Sequence, residues 1–284
     1  MSPHAHPPEA ITDWDSAYAN SAFIADGDSF PARWAAAAAQ FRAGRKAGAD
    51  RMGLAYGEHP RQWLDLFLPQ GSPRGLAVFV HGGYWMALDP ASWSHLAAGA
   101  LARGWAVALP AYRLAPEARL SEIVADVARA ITHAAGLVAG PLAFAGHSAG
   151  GHLVSRMLAA PSPLGDEVLG RVARVVSVSG LHDLRPLMKT RLNTTLRIDA
   201  EEAARLSPAL LAPATAAASA RLTCWAGANE RPEFLRQSAL LANIWRGLGL
   251  ATAAAEAPGL HHFDVIDALT DPASALTGAW LGDD

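Results

Sequence analysis

The sequence predicts an α/β fold in which helices cover both faces of a mostly parallel β-sheet. From about residue 75 onward, short apolar runs alternate with longer segments of helical periodicity. One apolar run leads directly into a Gly-His-Ser-Ala-Gly motif at residues 146–150, and a helical pattern follows it. Strands that alternate with helices form parallel sheets, because each helical connection returns the chain to the same edge.

Length and composition favour one compact domain. The 284 residues suffice for a large core, and 51% hydrophobic with 17% charged residues indicates a globular chain. A net charge of −3 gives no general attraction to nucleic acid or to anionic membranes. One cysteine, Cys224, excludes an internal disulfide, and no apolar stretch approaches the length of a membrane span. Without a signal-peptide pattern at the N-terminus, we expect a soluble, cytoplasmic protein.

The N-terminal part of the chain is expected to lie outside the sheet. Residues 1–12 form a polar, proline-rich flexible tail, and residues 13–284 form the single domain. A helix is predicted from Pro31 to Arg42, because Pro31 suits a first helical turn and apolar residues there share one face. The segment 13–50 is then an arm or lid over the domain, or a stabilising extension; the sequence leaves both open.

The elements of the sheet follow in order. Residues 52–57 and 62–68 alternate polar and apolar residues, which predicts an antiparallel hairpin at a sheet edge. The apolar runs that predict the remaining strands lie at 75–80, 105–109, 142–145, 172–178, 222–226 and 251–255. The segments whose periodicity predicts helices lie at about 91–102, 119–135, 152–158 and 234–247, with residues from 264 to the end mostly helical.

Residues 180–220 interrupt this alternation and are predicted to form a small helical insertion. Asp199, followed by Glu202, is typical of a helix N-cap, and a second helix ends near Ser207. The insertion follows the carboxyl end of a strand, which is where open α/β sheets bind ligands. We therefore expect it to form part of a pocket wall.

Ser148 is the candidate nucleophile. It lies between a predicted strand and a predicted helix, and the flanking Gly146 and Gly150 permit a tight turn that exposes the hydroxyl group. A serine hydroxyl needs a base, usually a histidine oriented by a carboxylate. In α/β-hydrolases these groups occur in the order serine, acid, histidine.

The candidate base lies after the last predicted strand. His152 belongs to the helix after Ser148 and should point into the fold, and His182 precedes the acid candidates. His261 and His262 remain, and we favour His262 because a His-Phe step commonly opens a C-terminal helix. His261 is then a polar residue of the pocket or a packing residue.

The candidate acid lies after the strand at 222–226. Glu230 belongs to the loop proper, whereas Glu233 falls where the next helix begins and is also explained as a helix-start residue. We favour Glu230, with Glu233 as the alternative. Asp183, one strand earlier, is an outside candidate whose simpler role is to bind backbone amides in its own turn.

A site for the oxyanion is predicted from two segments. The N–H group of Ala149 follows the nucleophile, and His-Gly-Gly at residues 81–83 lies at the carboxyl end of a strand. The N–H groups of Gly82 and Gly83 can therefore serve as further donors to a developing negative charge. Alone, His-Gly-Gly is also compatible with an ordinary turn.

Four segments together resemble the kynurenine formamidase (arylformamidase) branch of the α/β-hydrolases, which is related to the hormone-sensitive-lipase-like esterases. They are His-Gly-Gly-Tyr-Trp at 81–85, Gly-His-Ser-Ala-Gly-Gly-His-Leu at 146–153, Glu-x-x-Glu-Phe-x-x-Gln-Ser at 230–238, and His-Phe at 262–263. The esterases carry a third glycine where this chain has Tyr84, which favours the formamidase branch. The resemblance covers nearly the whole chain from about residue 13.

The resemblance implies an α/β-hydrolase fold and a hydrolase that removes the formyl group from a small aromatic amide through an acyl-enzyme. Tyr84 and Trp85 would form an aromatic wall for this small-molecule substrate. No cofactor, metal, nucleic acid or membrane partner is implied, and the chain is compatible with a homo-oligomer. The alternatives are a carboxylesterase for small acyl or aryl esters and, from another class, a binding module without activity.

Overall fold

A computed structural model describes residues 10–282 of the chain and contains one eight-stranded sheet. The predicted tail over residues 1–12 lies largely outside the described residues. The strands, numbered along the chain, are β1 (Arg51–Ala55), β2 (Trp63–Phe67), β3 (Leu76–Val80), β4 (Ala106–Pro110), β5 (Leu142–His147), β6 (Val172–Val178), β7 (Arg221–Gly227) and β8 (Ala251–Ala257).

The strand order is β1-β2-β4-β3-β5-β6-β7-β8. β2 is antiparallel to both of its neighbours, β1 and β4, and the strands from β4 to β8 are mutually parallel. The predicted edge hairpin and the mostly parallel sheet are both confirmed. Because β5 lies in the middle of the sheet, the turn after it opens at the centre of the carboxyl edge.

Helices cover both faces of the sheet, as predicted. They are α1 (Trp14–Tyr18), α2 (Phe30–Ala43), α3 (Ala98–Ala102), α4 (Leu120–Leu137), α5 (Ala149–Leu158), α6 (Asp166–Gly170), α7 (Asn193–Leu196), α8 (Ala200–Leu206), α9 (Pro232–Gly247) and α10 (Ala275–Leu281). One apolar cluster joins the sheet to α4, α5 and α9, and a second joins its other face to α2, α3 and α10. No described helix is both long and apolar enough to span a membrane.

Two helix predictions are corrected. The segment predicted as a helix at about 91–102 is mostly 3₁₀ turns, at Pro90–Ser92 and Ser94–Ala97, before the short α3. The C-terminal part from residue 264 is not mostly helical: it has turns, a 3₁₀ turn at Asp267–Thr270 and then α10. Pro272 separates that 3₁₀ turn from α10, and a proline cannot donate a helical hydrogen bond.

The insertion at 180–220 contains 3₁₀ turns and the short helices α7 and α8. The Asp199 side chain accepts a hydrogen bond from the Glu202 N–H at 2.8 Å, so Asp199 caps α8 as predicted. Arg119, at the start of α4, binds Glu202 at 2.7 Å. This contact fixes the insertion, which follows the carboxyl end of β6, to the start of α4.

Within the described residues, His81, His152 and His182 are buried, which makes stability depend on pH. Burial lowers the pKa of His81 and of His182 to about 4, and that of His152 to about 3. As the pH falls below about 6.5, the unfolded chain binds protons that the folded chain excludes, so stability is lost towards pH 4. We expect each histidine to cost about 1 kcal/mol of the free energy of unfolding between about pH 7 and pH 5.5.

Urea unfolding at a series of pH values measures this loss. His133 lies exposed on α4, so His133→Gln is a control that should leave the pH dependence unchanged. An opposing effect comes from Asp267, whose pKa burial raises to about 6. Asp267 is nevertheless exposed at the surface, so solvent screening weakens its contribution to the free energy of unfolding. A free energy of unfolding that stays level as the pH falls would contradict the expectation.

Candidate active site

Ser148 occupies a strained turn between β5 and α5. Its backbone has φ 55° and ψ −115°, a conformation that residues with a side chain rarely adopt. The Ser148 N–H donates to the Val178 oxygen of β6 at 2.8 Å, which holds the turn against the neighbouring strand. Ala149 begins α5, so the first N–H groups of that helix have no intrahelical acceptor beside the serine.

Close backbone contacts explain the two glycines of the turn. A Cβ atom at Gly146 would lie 2.2 Å from the Gly150 oxygen, and one at Gly150 would lie 1.9 Å from the Val80 oxygen of β3. Both distances are far below van der Waals contact, and backbone atoms cannot move aside without displacing a central strand. The motif is therefore required by the packing of β3, β5 and α5.

Gly150→Ala is expected to lower the free energy of unfolding by at least about 3 kcal/mol, because the methyl group would overlap the Val80 carbonyl. Gly136→Ala is the matched control: a Cβ there meets nothing within 4 Å, and the residue lies in α4. That change should raise stability by ~0.5–1 kcal/mol. Urea unfolding measures both, and equal effects would contradict the packing argument.

A cavity of about 370 Å³ opens beside Ser148. Most of its wall is apolar or aromatic. The lining residues belong to the N-terminal segment, the loops after β3 and β5, the insertion and the loop after β8. The lining residues are Asp15, Tyr18, Ala19, Asn20, Ser21, Trp34, Gly83, Tyr84, Leu88, Trp93, His147, Ser148, Arg191, Leu192, His262 and Phe263. Both the candidate nucleophile and the candidate base therefore face one space.

The structure brings His262 together with Glu230. The His262 Nδ1 lies 2.7 Å from Glu230 Oε2, and both side chains are almost completely buried. Glu230 Oε1 accepts two further hydrogen bonds, from Ser179 Oγ at 2.5 Å and from the Gly227 N–H at 2.7 Å. When Glu230 is ionised and His262 is neutral, the carboxylate can only accept a hydrogen bond, so Nδ1 carries the proton and Nε2 keeps its lone pair.

Glu233, the alternative acid, lies in a different network. Its Oε1 accepts hydrogen bonds from Tyr18 Oη at 2.7 Å and from Gln237 Nε2 at 2.9 Å. Arg236 forms a salt bridge with the same carboxylate at 2.7 Å. Glu233 therefore fastens α1 to α9. Asp183 binds the side chain and the N–H of Arg185, which follows it in the turn.

The histidines that the sequence analysis did not choose as the base form hydrogen bonds in the interior. His182 is bound through Nδ1 to the Gln237 oxygen at 2.9 Å and through Nε2 to Ser177 Oγ at 2.9 Å. His152 Nε2 contacts the Leu206 oxygen at 2.8 Å. These partners hold both rings within the interior.

The loop after β3 lies directly against Ser148. A Cβ atom at Gly82 would lie 3.1 Å from the Ser148 Cβ, and Gly83 lines the cavity with φ 105°. His81 Nδ1 lies 2.7 Å from the Gly82 oxygen, which fixes the peptide between Gly82 and Gly83. In a trans peptide the N–H points away from the C=O. The Gly83 N–H is therefore directed away from His81.

Of the three residues predicted to contact substrate, only Tyr84 lines the cavity. Its hydroxyl donates to the Tyr18 oxygen at 2.5 Å, and burial raises its pKa, so the donor stays protonated. Trp85 and His261 lie outside the cavity lining, and His261 has the packing role that the sequence analysis left open. Trp85 is fully buried, with its ring centroid 5.2 Å from that of His152. His261 packs edge-on against Phe30 and binds Asp264.

Sequence reasoning missed several residues of the site. His147 lines the cavity, with Nε2 2.8 Å from the His262 oxygen, and burial lowers its pKa well below the ordinary value. Ser179 binds Glu230 from the end of β6, a position at the carboxyl edge that could have identified it. Asp15 and Arg191 come from the two segments expected to border the pocket, but no motif marks either residue.

Comparisons with known proteins agree with this architecture. Residues 77–205 match a family model described as having an alpha/beta hydrolase fold. The chain is 30% identical over 237 residues to a kynurenine formamidase of Danio rerio, covering 80% of this chain and 79% of the relative. A kynurenine formamidase of Drosophila melanogaster is 28% identical, covering 75% of each chain.

Solved structures of two other proteins also resemble the structure of this chain. A candidate thioesterase from Silicibacter has 47% sequence identity and a TM-score of 0.87, covering 94% of this chain and 98% of that one. A hyperthermophilic esterase from Pyrobaculum calidifontis has 18% identity and a TM-score of 0.65, covering 84% and 85%. At that identity the esterase shows the fold alone, and the fold is the predicted one.

Proposed function

The chain belongs to the kynurenine formamidase family of α/β-hydrolases and is a hydrolase, and we propose that it cleaves small N-formyl aromatic amides. The observation that carries the proposal is the 2.7 Å contact between His262 and Glu230 in the wall of the cavity that also holds Ser148. A histidine held in this tautomer can act as a base towards a serine. The proposed substrate type is N-formylkynurenine.

Ser148 is the proposed nucleophile. His262 Nε2 removes the hydroxyl proton while Oγ attacks the formyl carbon, and the carbonyl electrons move to oxygen. The tetrahedral intermediate collapses as the C–N bond breaks, and His262 returns the proton to the leaving aryl amine. A formyl ester on Ser148 remains. Water, deprotonated by His262, then attacks this ester, and formate leaves as Oγ takes back its proton.

Glu230 supports this proton transfer through electrostatics. When His262 takes the proton it becomes positively charged, in a place where burial penalises charge. The Glu230 carboxylate, 2.7 Å from Nδ1, stabilises that charge. Hydrogen bonds from Ser179 and Gly227 keep the carboxylate in position.

The N–H groups of Gly82, Gly83 and Ala149 are the proposed donors to the oxyanion. Gly83 lines the cavity, Gly82 contacts the Ser148 Cβ position, and Ala149 follows Ser148 at the start of α5. Donors fixed by the backbone need no reorganisation as the charge develops, so they favour the transition state over the substrate.

The cavity suits an aryl amide of modest size. Its volume of about 370 Å³ lies at the lower end of the range for small-molecule sites, roughly 300–1,000 Å³. Trp34, Trp93 and Phe263 contribute aromatic surface, with Trp34 packed against both of the others. These side chains offer apolar surface against which an aromatic ring of the substrate can pack.

A carboxylesterase with the same machinery is the second candidate function. It is supported by the 47% identity to the candidate thioesterase, since serine hydrolases attack ester, thioester and amide carbonyls through the same steps. An amide is the harder substrate because its leaving amine must be protonated, which demands a well-oriented His262.

The substrate comparison separates these two functions. kcat/KM is measured for N-formylkynurenine, for p-nitrophenyl acetate and for a short acyl thioester, with formate release followed for the first. We expect N-formylkynurenine to have the highest kcat/KM and to yield formate and amine in equal amounts. A strong preference for either ester would overturn the formamidase proposal in favour of the second candidate.

A further inference from the structure

Among the described residues that line the cavity, Asp15 contributes a carboxylate and Arg191 a guanidinium group. The other lining residues are apolar, aromatic or polar, and they include the histidines His147 and His262. The reaction at Ser148 needs neither charge, since the formamide group is neutral. The charged pair therefore calls for a separate explanation.

The hydrogen bonds between Asp15 and Arg191 leave polar groups of both side chains able to bind a ligand. The Arg191 N–H donates to Asp15 Oδ1 at 2.7 Å, and Arg191 Nε donates to Oδ2 at 2.9 Å. Neither bond uses the two Nη groups of the guanidinium, and each carboxylate oxygen keeps a lone pair. The Arg191 side chain is 89% exposed and that of Asp15 35%, which places them at the mouth of the cavity.

Docking of the N-terminal segment does not depend on this pair. Tyr18 already fastens α1 through buried hydrogen bonds to Glu233 at 2.7 Å and to Gln237 at 3.1 Å. Tyr84 adds a bond to the Tyr18 oxygen at 2.5 Å. An exposed ion pair such as Asp15–Arg191 contributes little to stability, because solvent screens it.

We propose that Asp15 and Arg191 form a subsite that binds the α-amino acid group of the substrate. This inference rests on the proposed function. The planar guanidinium of Arg191 offers paired N–H donors that match a carboxylate, and the Asp15 carboxylate faces the neighbouring ammonium group. The preferred substrates are then N-formyl aryl amines that carry a zwitterionic amino acid side chain.

The arrangement orders the substrate along the cavity. With the formyl carbon at Ser148, the ring lies among the aromatic residues, and the amino acid group reaches the charged mouth. Asp15 belongs to α1 and Arg191 to the insertion, so the subsite exists only when the N-terminal segment is docked. The segment 13–50 then determines substrate choice as well as covering the site.

The test compares two formamides that differ in the amino acid group, N-formylkynurenine and N-formylaniline. In Arg191→Gln we expect the ratio of their kcat/KM values to fall by about tenfold in favour of N-formylaniline, through a higher KM for N-formylkynurenine. Arg191→Lys, which keeps the charge, should recover part of the ratio. Arg205→Gln removes an exposed arginine of α8 outside the cavity and should leave the ratio unchanged.

Two other outcomes would overturn the inference. If the ratio stays the same in Arg191→Gln, whether or not both substrates lose activity, the pair does not recognise the amino acid group. If the wild-type enzyme cleaves neither formamide, the proposed function itself is overturned, and the subsite with it. The wild-type measurement thus distinguishes failure of the function from failure of the subsite.

Discussion

Ser148→Ala is expected to abolish hydrolysis of N-formylkynurenine and of p-nitrophenyl acetate alike. Alanine cannot form the formyl ester, so kcat should fall on the order of a million-fold, to the level left by the other groups of the site. Ser148 has a strained backbone, with φ 55°, and alanine adopts it no more easily, so the fold should be retained. Steady-state kinetics measure the loss, and circular dichroism checks the fold.

Ser155→Ala is the matched control for this change. Ser155 lies in the same helix, α5, but it is buried and donates to the Gly151 oxygen at 2.8 Å, away from the cavity. Its loss should cost some stability and leave kcat near that of the wild type. Retained turnover in Ser148→Ala, on either substrate, would remove Ser148 from the mechanism.

Glu230→Gln is expected to lower kcat by about four orders of magnitude, as when the carboxylate of a serine–histidine triad becomes an amide. The amide cannot stabilise a positively charged His262, and its NH₂ group can donate to Nδ1 and so favour the wrong tautomer. Glu233→Gln removes the same charge three residues later. Glu233 contacts Tyr18 rather than His262, so the main effect should be weaker docking of α1 and a higher KM.

The two variants are well matched because both glutamates are buried and lie three residues apart in the chain. Rates for both variants on N-formylkynurenine, together with their urea unfolding curves, separate catalysis from stability. A Glu230→Gln enzyme of nearly normal kcat beside an inactive Glu233→Gln enzyme would show that the assignment of the acid is wrong.

The central sheet could be predicted from the sequence because its inner parallel strands, β3, β4 and β5, are buried along their whole length. Each such strand is a continuous apolar run, and the runs at β6 and β7 differ from the prediction by at most one residue at each end. The turn at Ser148 could be predicted as well, because a Cβ atom at Gly146 or Gly150 would overlap backbone atoms and only glycine fits there. Each of these features is therefore marked by a short stretch of the sequence.

Features that depend on long-range contacts were not predictable in the same way. Glu230 and Glu233 differ little in sequence context, and their separate roles follow from Ser179 and Tyr18, which are distant in the chain. Trp85 follows Tyr84 directly, yet it turns into the core. The prediction overestimated the helical content from residue 264 onward, because apolar residues there also pack from turns.

The charged mouth of the cavity illustrates the same limit. Asp15 and Arg191 are 176 positions apart and lie in segments without a recognisable motif. Each residue alone is an ordinary surface charge. Only the docking of α1 against the insertion makes them neighbours, and only the cavity makes them relevant to a substrate.

The most direct test of the account is the site at which a fluorophosphonate labels the protein, with and without N-formylkynurenine. The account predicts one label, on the peptide that contains Ser148, formed more slowly as the substrate concentration rises. It also predicts almost no labelling in Glu230→Gln, because His262 would no longer activate the serine. A label on another residue, or labelling that N-formylkynurenine does not slow, would contradict a formamidase that acts through Ser148, His262 and Glu230.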